Sequence, residues 1–210
     1  MKIGVLALQG DFREHIRILR KLDADAVEVR MPKDLNGIDG LIIPGGESTS
    51  IGILMKRAGM DREIKNKHND GMPIYGTCAG AILLAKEIIG NRQLTLGLID
   101  ISVKRNDYGR QIDSFEADLS IKDVGDFKGI FIRAPRIARF NNHCQILSEL
   151  NLEPVMLREN NVLITTFHPE LTGDARVHKY FLDMAQEHKE LKDAPEDAAN
   201  QNSREALLEL

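Results

Sequence analysis

The stretch PIYGTCAGAILLAKEI, from Pro73 to Ile88, joins a short apolar run to a helical run through a cysteine that lies between two glycines. At the junction, residues 76 to 80 (GTCAG) have the spacing of the G-x-S-x-G nucleophile elbow, with sulfur in place of oxygen. A nucleophile in so tight a turn is strained and exposed, and flanking glycines remove the Cβ atoms that would clash there. The stretch therefore predicts a strand, a helix and a reactive thiol between them.

The surroundings of Cys78 explain how a thiol at this position would react. A helix that begins at Ala79 directs free N–H groups and a partial positive charge at the sulfur, which favours the thiolate. The backbone N–H of Ala79 can also face a developing oxyanion. The alternative is that Cys78 is a small buried hydrophobic residue, as most free cysteines are. The two glycines and the strand-to-helix junction weigh against that alternative.

His168 is the candidate general base among the six histidines. It follows the apolar run VLITTF, and Pro169 then stops the strand. Because catalytic groups in open α/β sheets gather at the carboxyl ends of strands, we expect Cys78 and His168 to meet there. Glu170 follows two positions later, and in an extended segment it would lie on the same side as His168 and fix its tautomer. The other interpretation is a core histidine with satisfied hydrogen bonds.

The remaining histidines and the second cysteine carry weaker signals. Structural roles suffice for four histidines that lie in helical stretches or at a polar helix end: His15, His68, His178 and His188. Cys144 next to His143 suggests a metal, but two further ligands at a suitable spacing are missing. We therefore expect neither a metal nor a cofactor.

A second strand-to-helix junction lies upstream, at residues 43 to 50 (IPGGESTS). Its two glycines let the backbone turn and present N–H groups inward, so Gly46 is a candidate for a second oxyanion donor beside Ala79. Ser48 or Thr49 is expected to cap the helix that follows. The alternative is a plain turn before a capped helix. The G-x-x-x-x-G-K-[ST] spacing of a phosphate-binding loop is missing.

Apolar runs alternate with helical runs from the start of the chain. We expect strands at 3–8, 26–30, 40–46 and 72–76, and helices at 11–22 (capped by Asp11), 48–58, on to Lys67, and 79–88. This βαβα pattern predicts a three-layer α/β/α fold of flavodoxin-like type with a mostly parallel central sheet. After Leu94, short β-like runs predict hairpins and further strands added to the sheet, followed by an amphipathic helix from about Asp174.

Composition and charge narrow the class of protein. The chain has 210 residues, 42% of them hydrophobic and 29% charged, which suits one sizeable globular domain. Its formal charge of −4 gives no electrostatic reason to expect nucleic acid, and no apolar run is long enough to span a membrane. Two distant cysteines and the missing signal-peptide pattern indicate the cytoplasm. We assign one domain to residues 1–186 and an acidic tail to residues 187–210, which we expect to be mobile or loosely helical, with partner binding as the less favoured alternative.

The motifs resemble those of the class I, triad-type glutamine amidotransferases, which combine a G-x-C-x-G elbow with an earlier PGG loop and a later H-P-E. Within that superfamily, the chain is similar to the glutaminase subunits of pyridoxal 5′-phosphate synthase. The stretches that carry this closer likeness are ALQGDFREH, PGGEST, RNDYGRQIDSFEADL and FIRAP. Together with the elbow and FHPELTGDARVHKYF, they are spread over residues 1–186.

The resemblance implies hydrolysis of L-glutamine to L-glutamate and ammonia through a γ-glutamyl thioester. Cys78 would attack the side-chain amide, His168 would protonate ammonia and then activate water, and Glu170 would orient His168. By motif, the resemblance further implies six glutamine-binding positions: Gly46, Glu47, Ser48, Arg105, Ile132 and Arg133. Glu47 would attract the substrate ammonium and one of the arginines its carboxylate, and the sequence leaves open which. Gln9 is expected near the mouth of the site and the partner surface.

The resemblance also implies a partner, a (β/α)8-barrel synthase subunit in a large hetero-oligomer. Ammonia would pass to it through a tunnel, unprotonated, and be condensed with a pentose phosphate and a triose phosphate into pyridoxal 5′-phosphate. The glutaminase is then expected to be quiet until it docks. Two rivals stay open: a glutaminase of another pathway, such as histidine biosynthesis, and a redox-sensing module that uses Cys78 without turnover. The H-P-E motif weighs against the second, because a sensor thiol needs no ordered base.

Overall fold

The computed structural model describes residues 1–105 and 114–193. Over these residues, strands and helices alternate in the first half and strands dominate the second. The strands are β1 (Lys2–Leu6), β2 (Asp25–Val29), β3 (Gly40–Ile43), β4 (Ile74–Thr77), β5 (Ala85–Ile88), β6 (Ile99–Lys104), β7 (Ser114–Ile121), β8 (Gly125–Ile132), β9 (Arg136–Phe140), β10 (Gln145–Leu150), β11 (Glu153–Glu159) and β12 (Val162–Thr165). The helices are α1 (Phe12–Lys21), α2 (Ser48–Ala58), α3 (Met60–Asn69), α4 (Ala79–Leu84) and α5 (Arg176–Asp193), with short 3₁₀ helices at Pro32–Leu35 and Pro169–Leu171.

The central sheet has seven strands in the order β10-β11-β12-β4-β3-β1-β2. The strands from β12 to β2 run parallel to their neighbours, and β11 and β10 add an antiparallel edge. Apolar residues of α2, α3 and α4 form one core with the first face of the sheet, and those of α1 and α5 form a second core with the other face. The predicted three-layer α/β/α fold with a mostly parallel sheet is confirmed.

The register of three neighbouring strands brings their carboxyl ends to one level. Ile43 of β3 pairs with Gly76 of β4, and Thr165 of β12 pairs with Thr77 of β4. One residue past β4, the N–H of Cys78 still donates to the carbonyl of Thr165 at 2.8 Å. The segments that follow these strands therefore leave the sheet side by side, at the edge where open α/β sheets bind ligands.

The helix after Cys78 is shorter than the sequence predicts. Helix α4 ends at Leu84, and the next four residues form β5, which pairs in parallel with β6. Within β5, Ala85 and Ile88 are buried and the two residues between them are exposed. The prediction of a helix as far as Ile88 is wrong because pairing with a strand distant in sequence overrides the local helix propensity of this segment.

The later strands divide between the central sheet and two smaller ones. β10 and β11 extend the central sheet as predicted, because the antiparallel β11–β12 pair attaches them to its parallel part. The remaining strands form a three-stranded sheet, β5-β6-β9, and a two-stranded antiparallel pair, β7-β8. The prediction that the strands after Leu94 are added to the sheet is therefore right only for part of them.

Helix α5 begins two residues after the predicted start and continues across residue 186 to Asp193. Residues 187–193, which the sequence assigned to the tail, are thus helical, whereas 194–210 lie outside the described residues, as do 106–113 with most of the RNDYGRQ motif. The boundary of a single domain at residue 186 stays a prediction. Within the described ranges, no helix is long and apolar enough to cross a membrane.

A methyl group at Gly80 is expected to destabilise the fold. A Cβ built there would lie 2.0 Å from the carbonyl oxygen of Ile43, a backbone atom at the end of β3 that cannot move aside as a flexible side chain could. We expect Gly80→Ala to lower the free energy of unfolding in urea by about 1–3 kcal/mol, the usual cost of overpacking. Gly52→Ala in α2 is the control, because its nearest neighbour lies 3.4 Å away and alanine favours helices. Unchanged stability of Gly80→Ala would contradict this close approach of α4 to β3.

Candidate active site

Cys78 lies in the turn between β4 and α4, with φ 46° and ψ −99°. A positive φ is strained in a residue that has a Cβ and costs on the order of 1–3 kcal/mol, so the surrounding structure must enforce it. Close packing does so: a Cβ on Gly76 would lie 2.6 Å from the backbone of Gly80. The strained elbow is as predicted, but Cys78 is only 6% exposed and lines a cavity rather than an open surface.

His168 and Glu170 form a buried pair beside the cysteine. Nδ1 of His168 lies 2.7 Å from Oε1 of Glu170, and the two residues are 3% and 5% exposed. The segment between them is not extended, as the sequence argument assumed, because β12 ends at Thr165 and Pro169 opens a 3₁₀ turn. The predicted contact is present, but a tight turn rather than strand geometry brings the two side chains together.

The charges around His168 favour its protonated form. Burial lowers the pKa of this imidazole, but hydrogen bonds to Cys78 and Glu170, and the charges of both, outweigh burial and raise the pKa to about 10. Burial likewise raises the pKa of Glu170, but His15 and His168 lower it overall. A protonated imidazole between sulfur and carboxylate is therefore the stable arrangement at neutral pH.

Asp11 approaches the same imidazole from the start of α1. The sequence predicts this residue as a helix cap, but its side chain makes no capping hydrogen bond, and its Oδ2 lies 3.6 Å from Nδ1 of His168. Burial raises the pKa of Asp11, and the charge of His168 partly offsets that effect. Ligand atoms of Asp11, His168 and Glu170 lie within 4.8 Å of one another. Nδ1 and Oε1 already bond each other, which leaves them poorly placed to share a metal.

The Gly-Gly loop packs directly against the imidazole. The N–H of Gly45 donates to Oγ1 of Thr77 at 2.9 Å, and a Cβ on Gly45 would lie 2.4 Å from Cε1 of His168. Gly46 has φ 146°, and the next N–H, of Glu47, donates to Oε1 of Gln9 at 2.9 Å. A glycine pair is needed here because any side chain would occupy the space of the imidazole or of Gln9.

One cavity of about 630 Å³ collects nearly all of the residues that the sequence singled out. Glu170 alone lies outside its lining, behind the imidazole of His168. The predicted residues that line the cavity are Gln9, Gly46, Glu47, Ser48, Cys78, Ala79, Arg105, Ile132, Arg133 and His168. The other lining residues are Asp11, Ile82, Ser114 and Leu171.

Glu47 and Arg105 form an ion pair on the wall of the cavity, with Nη2 of the arginine 3.0 Å from Oε1 of the glutamate. Glu47 also caps α2 by accepting from the N–H of Ser50 at 2.7 Å, so the predicted cap at Ser48 or Thr49 is wrong. Burial raises the pKa of Glu47, but the hydrogen bonds at the helix start and the charge of Arg105 lower it overall. The carboxylate is therefore charged at neutral pH.

Several residues of the site gave no functional signal in the sequence. Gln93 accepts from Nη1 of Arg105 at 2.7 Å, and Thr77 holds the Gly-Gly loop. His15 and His178, which the sequence assigned structural roles, lie behind Glu170 and bond each other at 2.9 Å. Helical spacing alone cannot show that α1 and α5 direct these two imidazoles toward the same carboxylate.

Comparison with solved structures defines the class. The chain superposes on a crystal structure of a glutamine amidotransferase with a TM-score of 0.86 and 48% identity, over 88% of this chain and 98% of that one. A structure of PurLQS from Thermotoga maritima, at 16% identity and a TM-score of 0.68, shows the same fold. The class is thus that of the glutamine amidotransferases, as the sequence motifs predict.

Sequence comparison identifies the family. Residues 5–187 match the model of the SNO glutamine amidotransferase family, and the chain belongs to that family. It is 53% identical over 190 residues to the pyridoxal 5′-phosphate synthase subunit PdxT of Fervidobacterium nodosum, covering 90% of this chain and 100% of the relative. It is 50% identical to the subunit of the same name from Thermosipho africanus, covering 88% and 98%. The resemblance read from the motifs is confirmed.

The proton on His168 can be observed directly. We expect an NMR titration of its imidazole in the free chain to give a pKa of about 10, against an ordinary value of 6.5. Cys78→Ala should lower it, because the hydrogen bond and charge of the thiolate are lost. The folded chain holds this proton more tightly than the unfolded chain, so the stability it contributes is full below pH 6.5 and lost as pH rises through about 10. A pKa near 6.5 for His168 in the unmodified chain would contradict a protonated imidazole at neutral pH.

Proposed function

We propose that this chain hydrolyses L-glutamine to L-glutamate and ammonia with Cys78 as nucleophile, His168 as acid and base, and Glu170 as the residue that orients His168. One observation carries the proposal. The imidazole of His168, whose pKa Cys78 and Glu170 raise to about 10, bonds the buried carboxylate of Glu170 and lines the same cavity as Cys78 at the strained elbow, and this cavity is large enough for an amino acid.

In the first half of the proposed reaction, Cys78 gives its proton to His168 and reacts as a thiolate. The thiolate attacks the carbon of the side-chain amide, and the negative charge passes from sulfur to the amide oxygen. We assign the N–H groups of Gly46 and Ala79 to that oxygen, because neither donates to an acceptor within the described residues. The carbon–nitrogen bond then breaks, the nitrogen takes the proton from Nε2 of His168, and ammonia leaves a γ-glutamyl thioester and a neutral imidazole.

The second half follows because the thioester changes the pKa of His168. With sulfur bound covalently, the thiolate no longer stabilises the imidazolium, and the pKa of the imidazole falls. Neutral His168 can then take a proton from water as the oxygen attacks the thioester carbonyl. Collapse of the second intermediate expels the thiolate, and the product acid loses its proton to solvent. Glu170 keeps the same nitrogen of His168 protonated throughout.

The Glu47–Arg105 pair suits the head group of a free amino acid. Glutamine carries an ammonium and a carboxylate on one carbon, and the pair presents the opposite charges 3.0 Å apart. We assign the ammonium to Glu47 and the carboxylate to Arg105, with Ser48, Ile132 and Arg133 completing the lining. Arg105 is held by Gln93 and Thr49 as well, so its guanidinium is positioned before substrate arrives.

We further propose that the ammonia is delivered to a synthase subunit that makes pyridoxal 5′-phosphate. Support comes from the relatives, whose name describes them as subunits of such a synthase, and from identities of 50% or more over nearly their whole length. Ammonia released into water becomes ammonium and loses its nucleophilicity, so direct transfer between docked subunits conserves the reactive form. We propose the partner to be a (β/α)8 barrel in a large hetero-oligomer. Both cysteines are free, which suits the reducing cytoplasm.

The two rival functions receive less support. A glutaminase of histidine biosynthesis would share the elbow and the H-P-E motif, but the family match and the named relatives favour the pyridoxal 5′-phosphate pathway. A redox sensor would need no ordered base, whereas His168 is held by Glu170 and faces a cavity that suits an amino acid.

Removal of the Arg105 guanidinium should weaken glutamine binding. A lost charge-assisted hydrogen bond costs about 1.5–3 kcal/mol, so we expect Arg105→Gln to raise KM for glutamine roughly 10- to 100-fold with a smaller effect on kcat. Arg139→Gln is the matched control, because it removes the same charge from an exposed position of β9 away from the cavity. An unchanged KM in Arg105→Gln would mean that another group binds the carboxylate of glutamine.

Glutamate release tests the reaction itself. The chain is mixed with a (β/α)8-barrel pyridoxal 5′-phosphate synthase subunit and glutamine, and glutamate is measured with and without that subunit. We expect release to depend on docking, and Cys78→Ala to reduce kcat by at least about 1,000-fold, as loss of a covalent nucleophile does. Cys144→Ser serves as control for loss of a thiol outside the site. Equal release by Cys78→Ala would remove this cysteine from the mechanism.

A further inference from the structure

Glu170 uses only one of its two carboxylate oxygens to hold His168. Oε1 bonds Nδ1 of His168, whereas Oε2 is buried and has no hydrogen-bond partner within normal distance among the described residues. Nε2 of His15 lies 3.6 Å from this oxygen, and both side chains are fully buried. A buried carboxylate oxygen requires a donor, and the structure offers this imidazole.

His15 is itself held from two sides. Its Nε2 lies 3.2 Å from Oγ1 of Thr77, and its Nδ1 lies 2.9 Å from Nε2 of His178. His15 comes from α1, Thr77 from the end of β4 and His178 from α5. The same Thr77 hydroxyl accepts from the N–H of Gly45, so the cluster also reaches the Gly-Gly loop. Two helices from one face of the sheet and the end of a central strand thus meet behind the carboxylate.

The proton positions in this cluster follow from its geometry. Burial lowers the pKa of His15 and lowers that of His178 to about 3, so both imidazoles are neutral and each carries one N–H. Because the carboxylate of Glu170 only accepts, we assign the N–H of His15 to Nε2, which faces Oε2 and Oγ1 of Thr77. Nδ1 of His15 must then accept, and the N–H of His178 is on Nε2. The second nitrogen of His178 carries no proton and has no partner in the described residues.

We propose that His15 and His178 extend the line of Cys78, His168 and Glu170 inward, as positioning residues that keep Glu170 charged and correctly oriented. This inference rests on the proposed function. His15 acts on the free oxygen of Glu170, and His178 acts through His15 by fixing which of its nitrogens donates. Without the donor on His15, the carboxylate loses stabilisation in a buried site, takes up a proton more readily and holds the imidazolium of His168 less firmly.

Other titratable groups face this cluster and must stay unchanged in the test. They are Asp11 and Glu14 at the start of α1, His168 beside Glu170, and Tyr75 on β4. Tyr75 packs edge-on against both imidazoles, with ring centroids 6.5 Å from His15 and 6.3 Å from His178, and its hydroxyl bonds Thr165 rather than the cluster. Tyr75→Phe is therefore a matched control for loss of a buried polar group at this place.

The experiment compares His15→Leu, which removes the donor, with His15→Gln, whose amide nitrogen can donate from a position near that of Nε2. Two measurements are made: glutamate release with the barrel synthase subunit docked, and NMR titration of the His168 imidazole in the free chain. For His15→Leu we expect kcat to fall roughly 10- to 100-fold, as for other outer partners of a catalytic group, with KM unchanged and the pKa of His168 lowered. For His178→Leu we expect kcat and the pKa of His168 to fall as well, but by less than in His15→Leu.

The variants His15→Gln and Tyr75→Phe show whether His15 acts by positioning Glu170 or only by packing in the core. The inference is supported if His15→Gln restores most of the kcat and of the His168 titration while Tyr75→Phe resembles the unmodified chain. It is overturned if a folded His15→Leu, checked by thermal unfolding, matches the unmodified chain in both measurements, or if His15→Gln loses as much as His15→Leu. If the unmodified, docked chain releases no glutamate, the proposed function fails, and the titration alone still decides whether His15 acts on His168 through Glu170.

Discussion

The site depends on the close approach of α4 to the ends of β3 and β4. Gly80 lies so near the carbonyl of Ile43 that no Cβ fits between them, and this contact holds the first turn of α4 against the sheet. Cys78 is then forced to positive φ, and its N–H remains bonded to β12. Strain at one residue is offset by two glycines and by the register of three parallel strands. The sulfur therefore has one position, set by backbone rather than by a flexible side chain.

Four ionisable side chains in a row determine the electrostatics of the buried part of the site. The thiol, the imidazole of His168, the carboxylate of Glu170 and the neutral imidazole of His15 follow one another from the cavity into the core. Burial alone would neutralise His168 and Glu170, and each of these two keeps the other charged. In the proposed reaction, this coupling lets one imidazole serve first as an acid and then as a base, because thioester formation removes the charge that raised its pKa.

On the wall of the cavity, an ion pair is held in place by hydrogen bonds from several elements. Glu47 caps α2 and pairs with Arg105, and Arg105 is held in turn by Gln93 and Thr49. A helix start, a loop and the end of β6 thus fix two opposite charges before substrate binds. Gln9 links this wall to the Gly-Gly loop through the N–H of Glu47. Changes in the position of Gln9 would therefore reach the N–H of Gly46, which we propose as an oxyanion donor.

Local patterns in the sequence were sufficient for the fold class, the elbow and the candidates Cys78, His168 and Glu170, because periodicity, glycine spacing and strand-end positions depend on short stretches of chain. These patterns failed where contacts between segments distant in sequence determine the local structure. Pairing of β5 with β6 ended α4 early, the turn at Pro169 replaced an extended segment, and Asp11 faces His168 instead of capping its helix. His15 and His178 lie more than 160 residues apart and meet only because α1 and α5 cover the same face of the sheet. The sequence by itself determined the candidate catalytic groups. Only the tertiary structure decided which groups hold them in place, because a buried polar atom takes its partner from the element that packs against it.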